Sequence, residues 1–342
     1  IMKVAQLISA IESQTNYLTV PKPNVETAFW LESDRMLELA FSEQSLEVQR
    51  GVVMEEFKQR CLNQPYGDVG HLFRPLAFRV HPYRWPTIGK ELSHIEQATL
   101  DEVKSFFYRF YAPNNAVLAV TGNISWDETV KLTEKWFAPI PRRDVPVRQL
   151  PQEPEQTQER RLTVERNVPL DALFMGYHMC SREGADYYAF DILSDILSNG
   201  RSSRLNRRLV QEQNIFSGID AYISGTRDAG LLQISGKPAA GVSLEQAEAA
   251  VRRELEELRQ FPVGEQELEK VKNKFESTQI FGNINYLNVA TNLAWFELTG
   301  KAEDIDLEVE RYRSVTTEQL HTVAQRAFCE NNTVVLYYKS DK

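Results

Sequence analysis

Residues 99–120, TLDEVKSFFYRFYAPNNAVLAV, align without a gap on residues 316–337, TTEQLHTVAQRAFCENNTVVLY, at a constant offset of 217. Thr99 meets Thr316, Asp101 meets Glu318, Val103 meets Leu320, Tyr111 meets Phe328, Asn114-Asn115 meets Asn331-Asn332 and Val117 meets Val334. The match has structural content: Thr with an acidic residue two positions later signals a helix start, and the Asn pair supplies a turn into a strand. Upstream, SEQSLE (42–47) pairs with GEQELE (264–269) at an offset of 222. A repeat of this kind constrains the fold more than composition can, because the chain must be built from two related units.

The boundary between them is APIPRRDVPVRQLPQEPEQTQ (138–158), which carries five prolines and almost no apolar periodicity, as an extended linker does. The expected domains are therefore 1–137 and 159–342. In the first, NYLTV (16–20) and AVLAVTG (116–122) read as strands, with helices over about 22–41, 43–64, 67–77, 99–111 and 126–137. In the second, strands are expected at RLTVER, ALFMGYHM, FSGIDAYISG, GLLQISG and TVVLYY. Helices are expected at ADYYAFDILSDILSN, SRLNRRLVQEQ and over about 243–260, 265–298 and 316–328. The fold class is α+β: two similar domains from an internal repeat, each an antiparallel-type sheet with packed helices.

The 342 residues, 42% hydrophobic, suffice for two cores of ordinary size. A net charge of −9 with dispersed basic residues argues against a nucleic-acid partner, and no run approaches the roughly 18 apolar residues of a membrane span. Cys61, Cys180 and Cys329 are few, odd in number and far apart, so neither a disulfide framework nor a Cys-type zinc site is indicated. No G-x-S-x-G elbow or phosphate-cradling Gly-rich loop occurs.

The segment QRGVVMEEFKQR (49–60) sets two carboxylates side by side in an expected helix. At about 100° per residue, Leu46, Val53 and Phe57 share the buried stripe, Glu55 points away from it, and Glu56 lies at its edge, level with Gln49. A carboxylate there can be a metal ligand or a base, or it can reach water or pair with Arg60 four residues on. In the offset of 222, Glu56 falls on Thr278, so the second copy keeps the helix without the carboxylate.

The segments WLESDRM (30–36), RGVVMEEFKQR (50–60), HPYRWPTIG (81–89), ATLDEVKSFFYRFYAPNNAVLAVTGNI (98–124) and NGRSSRLNRRLVQEQ (199–213) resemble, in order and spacing, the pitrilysin or insulinase-type zinc metallopeptidases, particularly bacterial members of processing-peptidase size. The likeness runs from about residue 16; residues 1–14, IMKVAQLISAIESQ, do not share it. The resemblance implies a pair of similar α+β domains that meets a second such pair around an unfolded polypeptide. It also implies one Zn2+ per complete site, held by two His of an inverted H-x-x-E-H helix and a downstream Glu. Glu56 stands where that third ligand stands, and Gln49 where the family often has a second Glu, able to hydrogen-bond but uncharged.

His71, His81, His94, His178 and His321 contain no H-x-x-E-H, so the two His ligands and the general base are expected upstream of residue 1, and no catalytic residue is expected in this chain. His81 is expected to order a loop, and His178 with Cys180 to form an H-x-C pair on one strand face. Where active relatives carry a substrate-binding Arg and, seven residues later, a Tyr, this chain has Val210 and Ser217. The expected function is a zinc-dependent endopeptidase acting on peptides or unfolded segments, here without its His-Glu-His helix. A chain of this kind would not hold zinc alone and would need a second domain pair, as a partner chain or a C-terminal continuation. The alternative is a non-catalytic partner subunit of the same fold that binds peptide or a companion chain.

Overall fold

The computed structural model describes residues 3–9 and 13–341. In chain order the elements begin with β1 (Lys3–Ser9), β2 (Gln14–Thr19), α1 (Val25–Leu37), α2 (Glu43–Phe57), α3 (Val69–Ala77), α4 (Leu92–Glu96), α5 (Leu100–Phe110) and α6 (Trp126–Phe137). After a long extended stretch come β3 (Arg160–Arg166), β4 (Ala172–His178), α7 (Tyr187–Ser198), β5 (Phe216–Ile223), β6 (Leu231–Pro238) and α8 (Leu244–Gln260). The chain closes with α9 (Glu265–Gly282), α10 (Tyr286–Thr299), α11 (Glu308–Ser314), α12 (Thr317–Ala327) and β7 (Thr333–Ser340). Among the described residues no helix is long and apolar enough to cross a membrane.

Packing gathers the chain into two compact units, neither of them continuous. One comprises Ile1–Asn63, Thr87–Leu150 and Ile280–Ile305; the other comprises Gln64–Pro86, Pro151–Gln279 and Asp306–Lys342. The boundaries at 137 and 159 are thus a proposal about the duplicated sequence, whereas the packed units interleave along the chain.

The second unit is organised by a five-stranded sheet of order β3-β7-β4-β6-β5. β7 is flanked on both sides: Leu336 stands opposite Leu162 in the parallel pairing with β3 and opposite Phe174 in the antiparallel pairing with β4. Because side chains alternate along a strand, its residues divide between two cores. Val335 and Tyr337 join Leu173, Met175 and Tyr177 in the core that includes residues of α7, α8 and α12, while Val334, Leu336 and Tyr338 meet Phe73 and Ala77 of α3.

The first unit has the antiparallel pair β1–β2, with Leu7 opposite Asn16. Of the fourteen N-terminal residues outside the resemblance, 1, 2 and 10–12 lie outside the described residues. α1 packs on α6 through Phe29 and Phe137, whose ring centroids are 6.4 Å apart, and Arg143 donates to the carbonyl of Tyr111 at 2.6 Å.

The repeat holds down to single hydrogen bonds. Thr99 caps α5 by accepting from the Glu102 N–H at 3.3 Å, as Thr316 caps α12 by accepting from the Gln319 N–H at 3.2 Å. Asn115 donates to the Phe110 carbonyl at 2.8 Å and its equivalent Asn332 to the Ala327 carbonyl at 2.9 Å. Two expectations change. The helix expected over 265–298 is broken after Gly282, where the Asn285 side chain accepts from the Leu287 N–H at 2.9 Å and starts α10. The strand expected at 116–122 does not form. A strand exists through its ladder of neighbours, and among the described residues none lies beside 116–122 as β3 and β4 lie beside β7. The side chains follow: Val117 is 38% exposed and its equivalent Val334 0%, and Phe106 is 57% exposed where Val323 is 1% exposed.

A charged cluster fastens β3 and β7 to α8. Glu248 accepts from Arg161 at 2.8 and 2.7 Å and from Arg252 at 2.6 Å, and Tyr337 also donates to it. Burial pushes the Glu248 carboxyl up, but the hydrogen bonds from Arg161, Tyr337 and Arg252 outweigh it and hold the group at about 2.

Val117→Ala and Val334→Ala make the same change at equivalent positions. Urea unfolding followed by circular dichroism should show a loss below about 0.5 kcal/mol at the exposed site and of about 2–3 kcal/mol at the buried one; equal losses would contradict the difference in burial. Because the folded-state value of Glu248 is depressed, its stabilisation is complete above the ordinary carboxylate value and is lost as pH falls through about 2. Glu248→Gln should therefore lower stability at pH 7 and weaken the acid dependence below about pH 4.5, measured as thermal midpoints across pH.

Candidate functional site

α2 begins with reciprocal hydrogen bonds between Ser42 and Ser45, each backbone N–H donating to the other hydroxyl at 3.0–3.1 Å. The phasing that follows agrees with the sequence pattern: Phe57 is buried, Leu46 and Val53 are half-buried, and Gln49 is exposed. The Glu55 side chain is 60% exposed and pairs with Lys58 at 2.7 Å. Glu56 is 43% exposed and pairs at 2.8 Å with Arg60, the partner that its spacing permits. An exposed pair of this spacing contributes about 0.3–0.5 kcal/mol. A stronger ligand for the Glu56 oxygens, such as a metal ion, would displace Arg60 at little cost.

The other candidates are not gathered around Glu56 into a metal site. Among the described residues no group of three His, Cys, Asp or Glu side chains is placed to hold a metal. A catalytic zinc takes about three protein ligands, so the residues present do not by themselves fit the zinc that the resemblance implies. His94 is exposed on α4, His71 is half-buried on α3, and His321 lies 2.9 Å from the Arg259 carbonyl. Burial, reinforced by the charge of Arg160, holds His178 below the usual imidazole range, and burial pushes the Cys180 thiol up. The expected H-x-C pair does not share a strand face, because β4 ends at His178 and Cys180 lies beyond it.

Val210 packs against the large core of the second unit from the π-helical segment Asn206–Glu212. Ser217, on the edge strand β5, is exposed and donates to the Lys237 carbonyl at 3.1 Å. Val210 carries no charge and Ser217 no phenol.

His81 does order a loop, as its sequence suggests, and it belongs to a polar cluster. Its Nδ1 accepts from the Tyr83 N–H at 3.2 Å, and its Nε2 lies 3.0 Å from Asp228. Glu153 accepts from the N–H groups of Arg79, Val80 and His81 at 2.8–2.9 Å. Burial raises the Glu153 carboxyl, but the N–H donors of His81, Arg79 and Val80 and the charge of Arg160 prevail and hold it below its usual value. Glu153 carried no sequence signal, because it sits in the Pro-rich stretch that reads as a linker. His81 was signalled by its place in VHPYRWP.

Residues 97–275 match the family model described as "Peptidase M16 inactive domain". The chain is 24% identical over 326 residues to the zinc protease PqqE of Helicobacter pylori, covering 94% of this chain and 73% of that protein. A crystal structure of a protease from Helicobacter pylori superposes with a TM-score of 0.91 at 23% identity, covering 98% of this chain and 82% of the other. The periplasmic protease PqqL of Escherichia coli matches with a TM-score of 0.75 at 17% identity, covering 95% of this chain and 37% of that one.

Dialysed against metal-free buffer, this chain should retain well under about 0.1 zinc per molecule, since one carboxylate lacks the affinity of a His-containing set. One tightly held zinc per chain by atomic absorption would reveal a ligand set that this arrangement does not contain.

Proposed function

Because this chain belongs to the M16 peptidase family, we propose that it forms one domain pair of a zinc-dependent endopeptidase acting on peptides or unfolded polypeptide segments. In this reading Glu56 supplies one zinc ligand, Gln49 hydrogen-bonds beside it, and the His-Glu-His residues come from a segment outside this sequence. The observation that carries the reading is the Glu56 carboxylate on α2, engaged by an exposed ion pair that a metal could replace; its role as third ligand is what the resemblance implies. The naming of a relative as a zinc protease supports it.

A second domain pair of the same fold would complete the site with the Arg and Tyr that Val210 and Ser217 do not provide. The Escherichia coli protein, in which a fold like this one takes up little more than a third of the chain, supports such an arrangement. The second reading, a non-catalytic partner that binds peptide or a companion chain, is favoured by Val210 and Ser217 and by the match to an inactive-domain model.

The two readings separate in the full gene product. If it carries H-x-x-E-H, Glu56→Gln should lower zinc content and cleavage of a quenched fluorescent peptide by about 100-fold or more, and Glu55→Gln should leave both within about threefold. Equal losses from the two substitutions would contradict the assignment of Glu56. Absence of cleavage even with a second domain pair added would support the non-catalytic reading.

A further inference from the structure

Equivalent segments of the repeat have changed places. Residues 64–86, from the first copy, pack in the unit that holds the five-stranded sheet, and residues 280–305, from the second copy, pack in the other. The two segments correspond: α3 begins at Val69 and α10 at Tyr286, 217 positions apart, the offset that relates 99–120 to 316–337.

The seat of the first segment is part of a core. Phe73, Ala77, Phe78 and Tyr83 are buried with Val334, Leu336 and Tyr338 on one face of the sheet. The Phe73 ring occupies space that Gly176 leaves free, since a Cβ on that glycine would fall 2.7 Å from the ring tip. Polar contacts fix both ends of the segment: Tyr66 donates to the Leu170 carbonyl at 2.7 Å, Tyr338 to Asp68 at 2.6 Å and Arg160 to the Ala77 carbonyl at 2.6 Å. His81 reaches Asp228 at 3.0 Å. The second segment contributes buried Phe296, and the Tyr286 carbonyl accepts from Thr121 at 2.7 Å. Between the copies, residues 141–150 form no helix or strand, and Val147 is exposed.

We propose that this reciprocal exchange, and not the linker, keeps the two units in one particle, so that the chain can be cut in the linker without coming apart. Hydrolysis between Val147 and Arg148 consumes one water and leaves a new carboxylate and a new ammonium group, both in an exposed extended stretch. Each fragment then still carries a segment seated in the other fragment's unit. To separate, residues 1–147 must draw α3 and the 78–86 loop out of the sheet's core, and residues 148–342 must withdraw α10. The cut removes the tether and leaves both seats as they were. Linker processing is thereby a modification that the fold accepts, and a two-chain form is a stable product of it.

The test is to insert a specific protease recognition sequence between Val147 and Arg148 of the full chain, cut it to completion, and weigh the product by size-exclusion chromatography with light scattering. The expected result is one species with the mass of the uncut 39.4 kDa chain plus insert, containing both fragments in equal amounts and with unchanged circular dichroism. Its urea midpoint should rise with protein concentration, whereas that of the uncut protein should not. Phe73→Leu, which thins the seat against Gly176, should lower the midpoint of the cut form at every protein concentration. Separate elution of the two fragments at micromolar concentration, or loss of helical signal on cutting, would overturn the proposal.

Discussion

The structure depends on the ladder that β7 makes with a strand on each side. One strand with two partners fixes the direction of β3 and β4, sets the register of both, and offers one face to α7, α8 and α12 and the other to α3. The same pattern of residues in the first copy shows what is lost without those partners. Val117 and Leu118 have the side chains of a core strand, yet they lie in irregular, partly exposed backbone. Strand propensity describes fitness for a pleated, half-buried surface, and it is realised only where that surface exists.

Local interactions, by contrast, repeat faithfully in both copies. The Thr cap and the Asn-to-carbonyl bond after the helix join residues three and five positions apart, so they form whether or not the rest of the sheet is at hand. This is why helices were legible in the sequence. α6 occupies 126–137 as its pattern predicts, α5 and α12 begin beside their capping threonines, and the β-branched and aromatic runs of the second half became strands. The features that could not be read are the non-local ones. No pattern in residues 64–86 reveals that α3 lies in the core of the other copy's sheet. Nothing in the spacing of Glu153 reveals that it collects three backbone N–H groups of the His81 loop.

The candidate site was legible for the same reason as the helices. The position of Glu56 follows from the phase of a single helix, and the ion pair with Arg60 follows from a spacing of four residues. What the phase cannot give is a ligand set, because ligands from separate elements meet only through tertiary packing. The H-x-C pair illustrates the limit. Strand alternation put His178 and Cys180 on one face, but the chain leaves the ladder at His178 and the alternation ends with it.

Glu56 and Thr278 complete the comparison between the copies. At equivalent positions one copy carries a carboxylate and the other a hydroxyl that donates to the Lys274 carbonyl of its own helix at 2.9 Å. Thr278 is exposed and the Glu56 carboxylate is partly so, and neither side chain closes a core. The fold therefore places no demand for a carboxylate on this helix position, since the second copy builds the same helix without one. What distinguishes Glu56 is chemical: it presents two oxygens from a regular helix, beside a solvent-facing Gln49, and is restrained by one weak and replaceable ion pair. A group of that kind is available to a metal without rearrangement of the backbone that carries it.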